Sequence, residues 1–160
     1  MANKTIAFDM DGTIADLYNV PSWERGLHEG KTWPYAKARP MVPRKSLQAL
    51  KDAGYRLVIV SWGAMGGSAE YLRRVRRVKI KWCEKHYPGI FQEYHVVKYN
   101  TPKRCAVKGD AILVDDSPAV RMEWGEADTI NAADTAKMLD ALKELTIAAF
   151  ENSQGNENDI

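Results

Sequence analysis

Asp9 and Asp11 stand one residue apart around Met10, followed by Gly12-Thr13, and much later in the chain Asp115 and Asp116 stand side by side. Two aspartates at such spacing can divide the work of phosphoryl transfer. One attacks phosphorus and becomes an aspartyl-phosphate. The other protonates the leaving oxygen and later activates water. Four carboxylates drawn into one pocket would repel and raise each other's pKa. A divalent cation resolves that repulsion, and clustered oxygens with room for water suit Mg²⁺. Ser61 offers a hydroxyl, and Lys98 and Lys103 each offer an ammonium. A metal, a lysine and a hydroxyl together make a phosphate site. The backbone N–H of Trp62, directly after Ser61, is a further candidate donor to phosphate. Successive residues of a strand face opposite ways, so the loop after Asp9 must bend to bring Asp11 to the same site. Gly12 gives it the freedom to do so.

These residues matter only if the fold gathers them. Thr5-Ile6-Ala7-Phe8 is a short apolar run that stops at Asp9, and Arg56 to Val60 is a β-branched run that stops at Ser61. Tyr94 to Val97 and Ala111 to Val114 read as two more strands, the second ending in Asp115-Asp116, and Thr129-Ile130 as a brief fifth. Pro43 opens a helix that closes at Gly54. Ser68 caps a long helix to about Tyr87, Ser117-Pro118 starts a short one, and Asp134 caps a last one reaching about Phe150. Strands alternating with helices predict parallel pairing with right-handed crossovers, hence a three-layer α/β Rossmann-like sandwich. Ligands in such folds bind outside the carboxyl ends of the strands. The aspartates, Ser61 and the lysines all lie at those ends.

In their order and strand context, Phe8-Asp9-Met10-Asp11-Gly12-Thr13, then Val58-Ile59-Val60-Ser61, then a lysine, then Leu113-Val114-Asp115-Asp116 resemble the four motifs of the haloacid dehalogenase-like hydrolase superfamily. The likeness spans residues 6 to 118 and extends through the helices to about 150. It implies Mg²⁺-dependent phosphomonoester hydrolysis, with Asp9 as nucleophile and Asp11 as general acid and base. It implies that Ser61 and Lys103 bind the transferring phosphoryl group, together with the Met10 to Thr13 loop. Asp115 or Asp116, with Asp9 and the main-chain carbonyl of Asp11, would hold the metal. The second aspartate separates the chain from the dehalogenases themselves. Lys103 is preferred to Lys98 because a lysine shortly before the acidic strand resembles the 5′(3′)-deoxyribonucleotidase branch.

The chain of 160 residues is expected to form one domain through residue 150, with a small, irregular cap insert at about 16–42 and a disordered acidic tail at 151–160. Hydrophobic residues at 45% and charged residues at 28% exclude a disordered or collagen-like protein. No apolar run nears the ~20 residues of a bilayer span, so no membrane role is expected. The apolar run before Asp9 is too short for a signal peptide, and two cysteines write no disulfide framework, so a cytoplasmic setting is expected. Removing the three negative charges of residues 151–160 from the net charge of +2 leaves a body at +5, which suits an anionic substrate.

The long helix carries Arg73, Arg74, Arg76, Arg77, Lys79, Lys81 and Lys85, opposed only by Glu70 and Glu84. It reads either as a solvated outer face or as a nucleic-acid surface. Trp23, Trp33 and Tyr35 in the insert either glue the cap to the body or stack on a nucleobase. An insert this small cannot enclose a substrate. An open site favours a nucleotide, a 5′ or 3′ nucleic-acid end or a phosphoprotein over a small sugar phosphate, with a nucleoside monophosphate first. Two other classes use similar residues. A signalling receiver places its acidic pair after the first strand and its phospho-acceptor after the third, where this chain has Val97-Lys98. A phosphate-binding pseudoenzyme has no need of the intact Asp9 and Asp11.

Overall fold

The computed structural model describes residues 4–155. Its centre is a five-stranded, all-parallel sheet of β1 (Thr5–Phe8), β4 (Arg56–Trp62), β5 (Glu93–Val97), β6 (Ala111–Asp115) and β7 (Thr129–Asn131). The spatial order is β5-β4-β1-β6-β7, so the most buried strand lies in the middle. The chain winds outward from β1 to one edge, then crosses back to build the other side, as in doubly wound folds. The sandwich predicted from the alternation of strands and helices is the fold observed.

Side chains on β1 alternate between two cores. Ile6 and Phe8 join Leu57 and Ile59 in the larger one, covered by helices α3 (Arg44–Asp52), α4 (Ala69–His86) and α6 (Thr135–Gly155). Leu47 and Leu50, Trp82 and Cys83, and Met138 and Leu142 are the residues those helices bury there. Ala7, Val58 and Val60 face the other way, onto Val107 and Val120 of the opposite layer, where α5 (Pro118–Trp124) lies. Because the central strands β1, β4 and β6 are covered on both faces, their apolar runs are continuous rather than alternating.

The register carries the functional consequence. Phe8 lies level with Val114 on β6 and with Ile59 on β4. One step on, Asp9 and Asp115 stand level, with the Asp9 N–H still donating to the Val114 carbonyl. Neighbouring strands are ~4.8 Å apart, so sheet pairing alone brings residues distant in sequence together.

Two expectations are revised. The insert at 16–42 is not irregular. It holds helices α1 (Trp23–His28) and α2 (Trp33–Lys37), and the two-residue strands β2 (Ala15–Asp16) and β3 (Arg39–Pro40) pair antiparallel at its base. Leu17 and Tyr35 pack against Tyr71, Val75 and Val96, which seats this cap on the first turns of α4. The last helix, expected to end near Phe150, continues to Gly155, because no proline or glycine interrupts residues 135 to 154. Residues 151–155 of the expected tail are therefore helical, and 156–160 lie outside the described residues. Among the described residues, no helix is long and apolar enough to cross a membrane.

Candidate active site

Asp9 is the first residue after β1 and is tied to β6 through its backbone N–H, which donates to the Val114 carbonyl at 2.9 Å. Its side chain meets Lys103, whose ammonium donates to Asp9 Oδ1 at 2.8 Å and to Asp115 Oδ2 at 2.7 Å. All three side chains are nearly sealed from solvent. Asp115 is fixed further by the backbone N–H of Ser117 on Oδ1 at 2.9 Å, and its own carbonyl accepts from the buried Arg121 at 3.0 Å. Thr13 is completely buried, and its hydroxyl touches Asp9 Oδ2 at 3.3 Å and Asp116 Oδ1 at 3.4 Å.

The oxygens of Asp9, Asp115 and Asp116 lie within 4.8 Å of one another. Burial and then the nearby Asp9 carboxylate push Asp115 up to about 6, although Lys103 opposes the shift. Burial, Asp9 and Asp115 push Asp116 up to about 7. Lys103 is held above its ordinary value because Asp9 and Asp115 outweigh the effect of burial, which alone would lower it. With every carboxyl ionised, the four carboxylates exceed the two buried ammoniums, Lys103 and Lys79, by two negative charges. An all-oxygen donor set with that residual charge could hold a hard divalent cation.

Asp11 lies across the loop, and its pKa is raised by burial, against the pull of Lys79. Lys79 Nζ donates to Asp11 Oδ2 at 2.7 Å, to Ser61 Oγ at 2.8 Å and to the Trp62 carbonyl at 2.8 Å. The turn between Asp9 and Asp11 closes on Gly12, with φ +78°. A Cβ there would sit 2.5 Å from Tyr18 and 2.6 Å from Asp116 Oδ2. Gly12→Ala should therefore cost about 2 kcal/mol of stability and displace Asp116. Thermal unfolding and a Mg²⁺ titration check this; unchanged values in both would refute the close approach.

A cavity of about 380 Å³ opens over these groups. Asp9, Asp11, Lys103, Asp115 and Asp116 form its floor, and its walls are aromatic. Tyr18 meets Trp23 edge to face at 5.1 Å on the cap side, and Trp62 meets Tyr99 in the same way at 5.1 Å on the body side.

The residues singled out by the sequence take different places in the fold. Asp9, Asp11, Lys103, Asp115 and Asp116 converge on the cavity, with Trp62 in its wall. Ser61 and Thr13 are sealed beneath it, with their hydroxyls on Lys79 and on the aspartates. The Met10 side chain turns into the core against Cys83, so only its backbone can face a phosphate. Among the described residues, the N–H groups of Met10 and Asp11 donate to no backbone carbonyl. Lys98 is exposed and away from the cavity. Of the cap aromatics, Trp23 and Tyr35 line the cavity, whereas Trp33 packs on Gly26 within the cap.

Sequence reasoning missed Tyr18, Tyr99 and Met65 at the mouth, and above all Lys79. Lys79 had been read with the solvated basic face of its helix, yet it is completely buried. Its spacing gave the signal, because it falls four residues from both Val75 and Cys83 on the inward stripe. The two cysteines are unpaired, and burial pushes the Cys83 thiol up to about 12, which leaves it inert.

No family model matches the chain, and no curated protein matches it. Among solved structures it is similar to a D,D-heptose 1,7-bisphosphate phosphatase from Burkholderia thailandensis. That likeness has 17% identity over 79% of this chain and 74% of that one, with a TM-score of 0.47. It is also similar to an uncharacterized protein from Corynebacterium glutamicum, with 16% identity over 89% of this chain and 94% of that one and a TM-score of 0.49.

Proposed function

We propose that the chain is a phosphomonoester hydrolase of the haloacid dehalogenase-like type, working through an aspartyl-phosphate on Asp9 with Mg²⁺ as its metal. The observation that carries the reading is the placing of Asp9 and Asp115 level on adjacent strands, joined by Lys103 and flanked by Asp116. In the first half-reaction an Asp9 oxygen bonds to phosphorus as the ester P–O bond breaks, and the leaving oxygen takes a proton from Asp11. In the second, Asp11 takes a proton from water, whose oxygen attacks the same phosphorus. The acyl-phosphate P–O bond breaks, inorganic phosphate leaves, and Asp9 is restored. Lys103, with the Met10 and Asp11 N–H groups, would balance the charge on the phosphoryl oxygens. Asp9, Asp115 and Asp116 would hold the Mg²⁺, which supplies further neutralisation of that charge.

The substrate in this reading is a nucleoside monophosphate. Its phosphate reaches the acidic floor and its base lies against Tyr18 and Tyr99 at the mouth, where half-exposed aromatic surface is available for stacking. A second reading, a polynucleotide end, is favoured by the exposed Arg73, Arg77, Lys81 and Lys85 on α4. A screen of nucleoside monophosphates, phosphorylated oligonucleotide ends and phosphopeptides, with Mg²⁺ and with chelator, tests both. Chelator-sensitive release of phosphate from the mononucleotides is expected. Preference for oligonucleotide ends would favour the second reading, and release from none would overturn both.

The raised carboxyls give a pH dependence of defined sign. A carboxyl whose folded value lies above its ordinary 3.8 binds its proton more tightly when folded. Its contribution to stability is thus greatest at low pH and is lost as pH rises through about 6 to 7. A cation takes the charged form, so Mg²⁺ should raise the melting temperature by several degrees at pH 8 and hardly at all at pH 5. Equal shifts at both pH values would contradict the assignment of Asp115 and Asp116 as ligands.

A further inference from the structure

We propose that Lys79 is a positioning residue that fixes the carboxylate of Asp11 for proton transfer; the inference rests on the phosphatase reading above. An ammonium has three N–H donors. All three of Lys79 are used, on Asp11 Oδ2, Ser61 Oγ and the Trp62 carbonyl. The Tyr35 ring of the cap lies 4.5 Å from the same nitrogen. The side chain is completely buried and does not line the cavity. It therefore has no donor left for a substrate and no path to one, so it acts through another group.

That group is Asp11. Asp11 lies in a loop beside the turn at Gly12 rather than in a strand, and its side chain is 20% exposed. Among the described residues, Lys79 is the only hydrogen-bond partner of its carboxylate. Lys79 in turn is held by β4 through Ser61 and Trp62, by its own helix and by the Tyr35 ring. The loop carboxylate is thus referred to three rigid parts of the molecule. With Oδ2 engaged, Oδ1 is the oxygen that remains for the cavity Asp11 lines. As the bond from Asp9 to phosphorus forms and the ester bond breaks, the leaving oxygen would take its proton from that Oδ1. A neutral side chain would fill the same apolar seam between Val75 and Cys83, so packing alone does not call for a lysine here.

The test compares two phosphomonoesters with Lys79→Met. A nucleoside 5′-monophosphate expels a strongly basic alkoxide and needs the proton, whereas p-nitrophenyl phosphate expels a weakly basic phenolate and does not. The ratio kcat/KM reads only steps up to loss of the leaving group. It should fall about 30-fold or more on the alkyl ester and less than about 3-fold on the nitrophenyl ester. Equal losses on both esters would mark a merely structural role and overturn the inference, as would no loss on either. Should Lys79→Met not fold, Asp11→Asn is compared with Asp11→Asn/Lys79→Met, in which no charge is stranded. On the nitrophenyl ester the two should agree within about 3-fold, since Lys79 has then lost the group it acts through. A larger gap would overturn the inference. Wild-type protein that hydrolyses neither ester would overturn the phosphatase reading itself, a result distinct from those above.

Discussion

Asp9→Asn should lower turnover at least about 10⁴-fold while leaving the molecule folded. The amide has no charge to bring to phosphorus and cannot form the acyl-phosphate. It also discharges one of the three carboxylates whose oxygens lie within 4.8 Å of one another. The electrostatics predict a second, separable result. The metal-free site carries four carboxylates against two buried ammoniums, so removing one negative charge relieves repulsion. Lys103 keeps its bond to Asp115 at 2.7 Å. The melting temperature of the metal-free variant should therefore not fall below that of the parent, and inactivity cannot then be blamed on unfolding. Turnover within 10-fold of the parent would refute the nucleophile assignment. A collapse in melting temperature would mean that Asp9 matters chiefly as a partner for Lys103.

Lys103→Met is expected to be nearly as damaging, by a different route. It leaves Asp9 and Asp115 level on adjacent strands with no cation between them. Stranding buried charges in this way costs about 3 kcal/mol. It also removes the one ammonium that lines the cavity among the described residues. Phosphatase kcat/KM should fall about 10³-fold, and Mg²⁺ should restore part of the lost stability but little of the activity. Lys98→Met should stay within about 3-fold of the parent, because Lys98 is exposed beyond the end of β5. Steady-state rates and melting curves of the two variants, with and without Mg²⁺, check both. The reverse ranking would show that the lysine bonded to the aspartates is not the one that meets phosphate.

The sheet was legible because every central strand is buried on both faces and reads as an unbroken apolar run ended by a polar residue. Once β1 and β6 pair in parallel, the level placing of Asp9 and Asp115 follows from the register. Lys103 was separable from Lys98 only in space: a 3₁₀ turn opened by Pro102 carries Lys103 back under the sheet edge, whereas Lys98 remains outside. The cap was read as irregular because its helices have six and five residues and are bounded by glycine and proline, too short to show a helical period. Lys79 was hidden by its neighbours. On a helix with basic residues on most faces, one lysine on the apolar stripe looks like the rest, and only its partner Asp11, sixty-eight residues away, gives it a reason to be buried. Tyr18 and Tyr99 carry no local signal at all, since a cavity wall is a property of the assembled surface.

The central claim is that one aspartate is transiently phosphorylated. Protein mixed with a turning-over nucleoside monophosphate and Mg²⁺, quenched and reduced with borohydride, converts an aspartyl-phosphate to homoserine. Peptide mass mapping should place that homoserine at position 9 and nowhere else. Homoserine at position 11, 115 or 116, or none under conditions where phosphate is being released, would contradict the account.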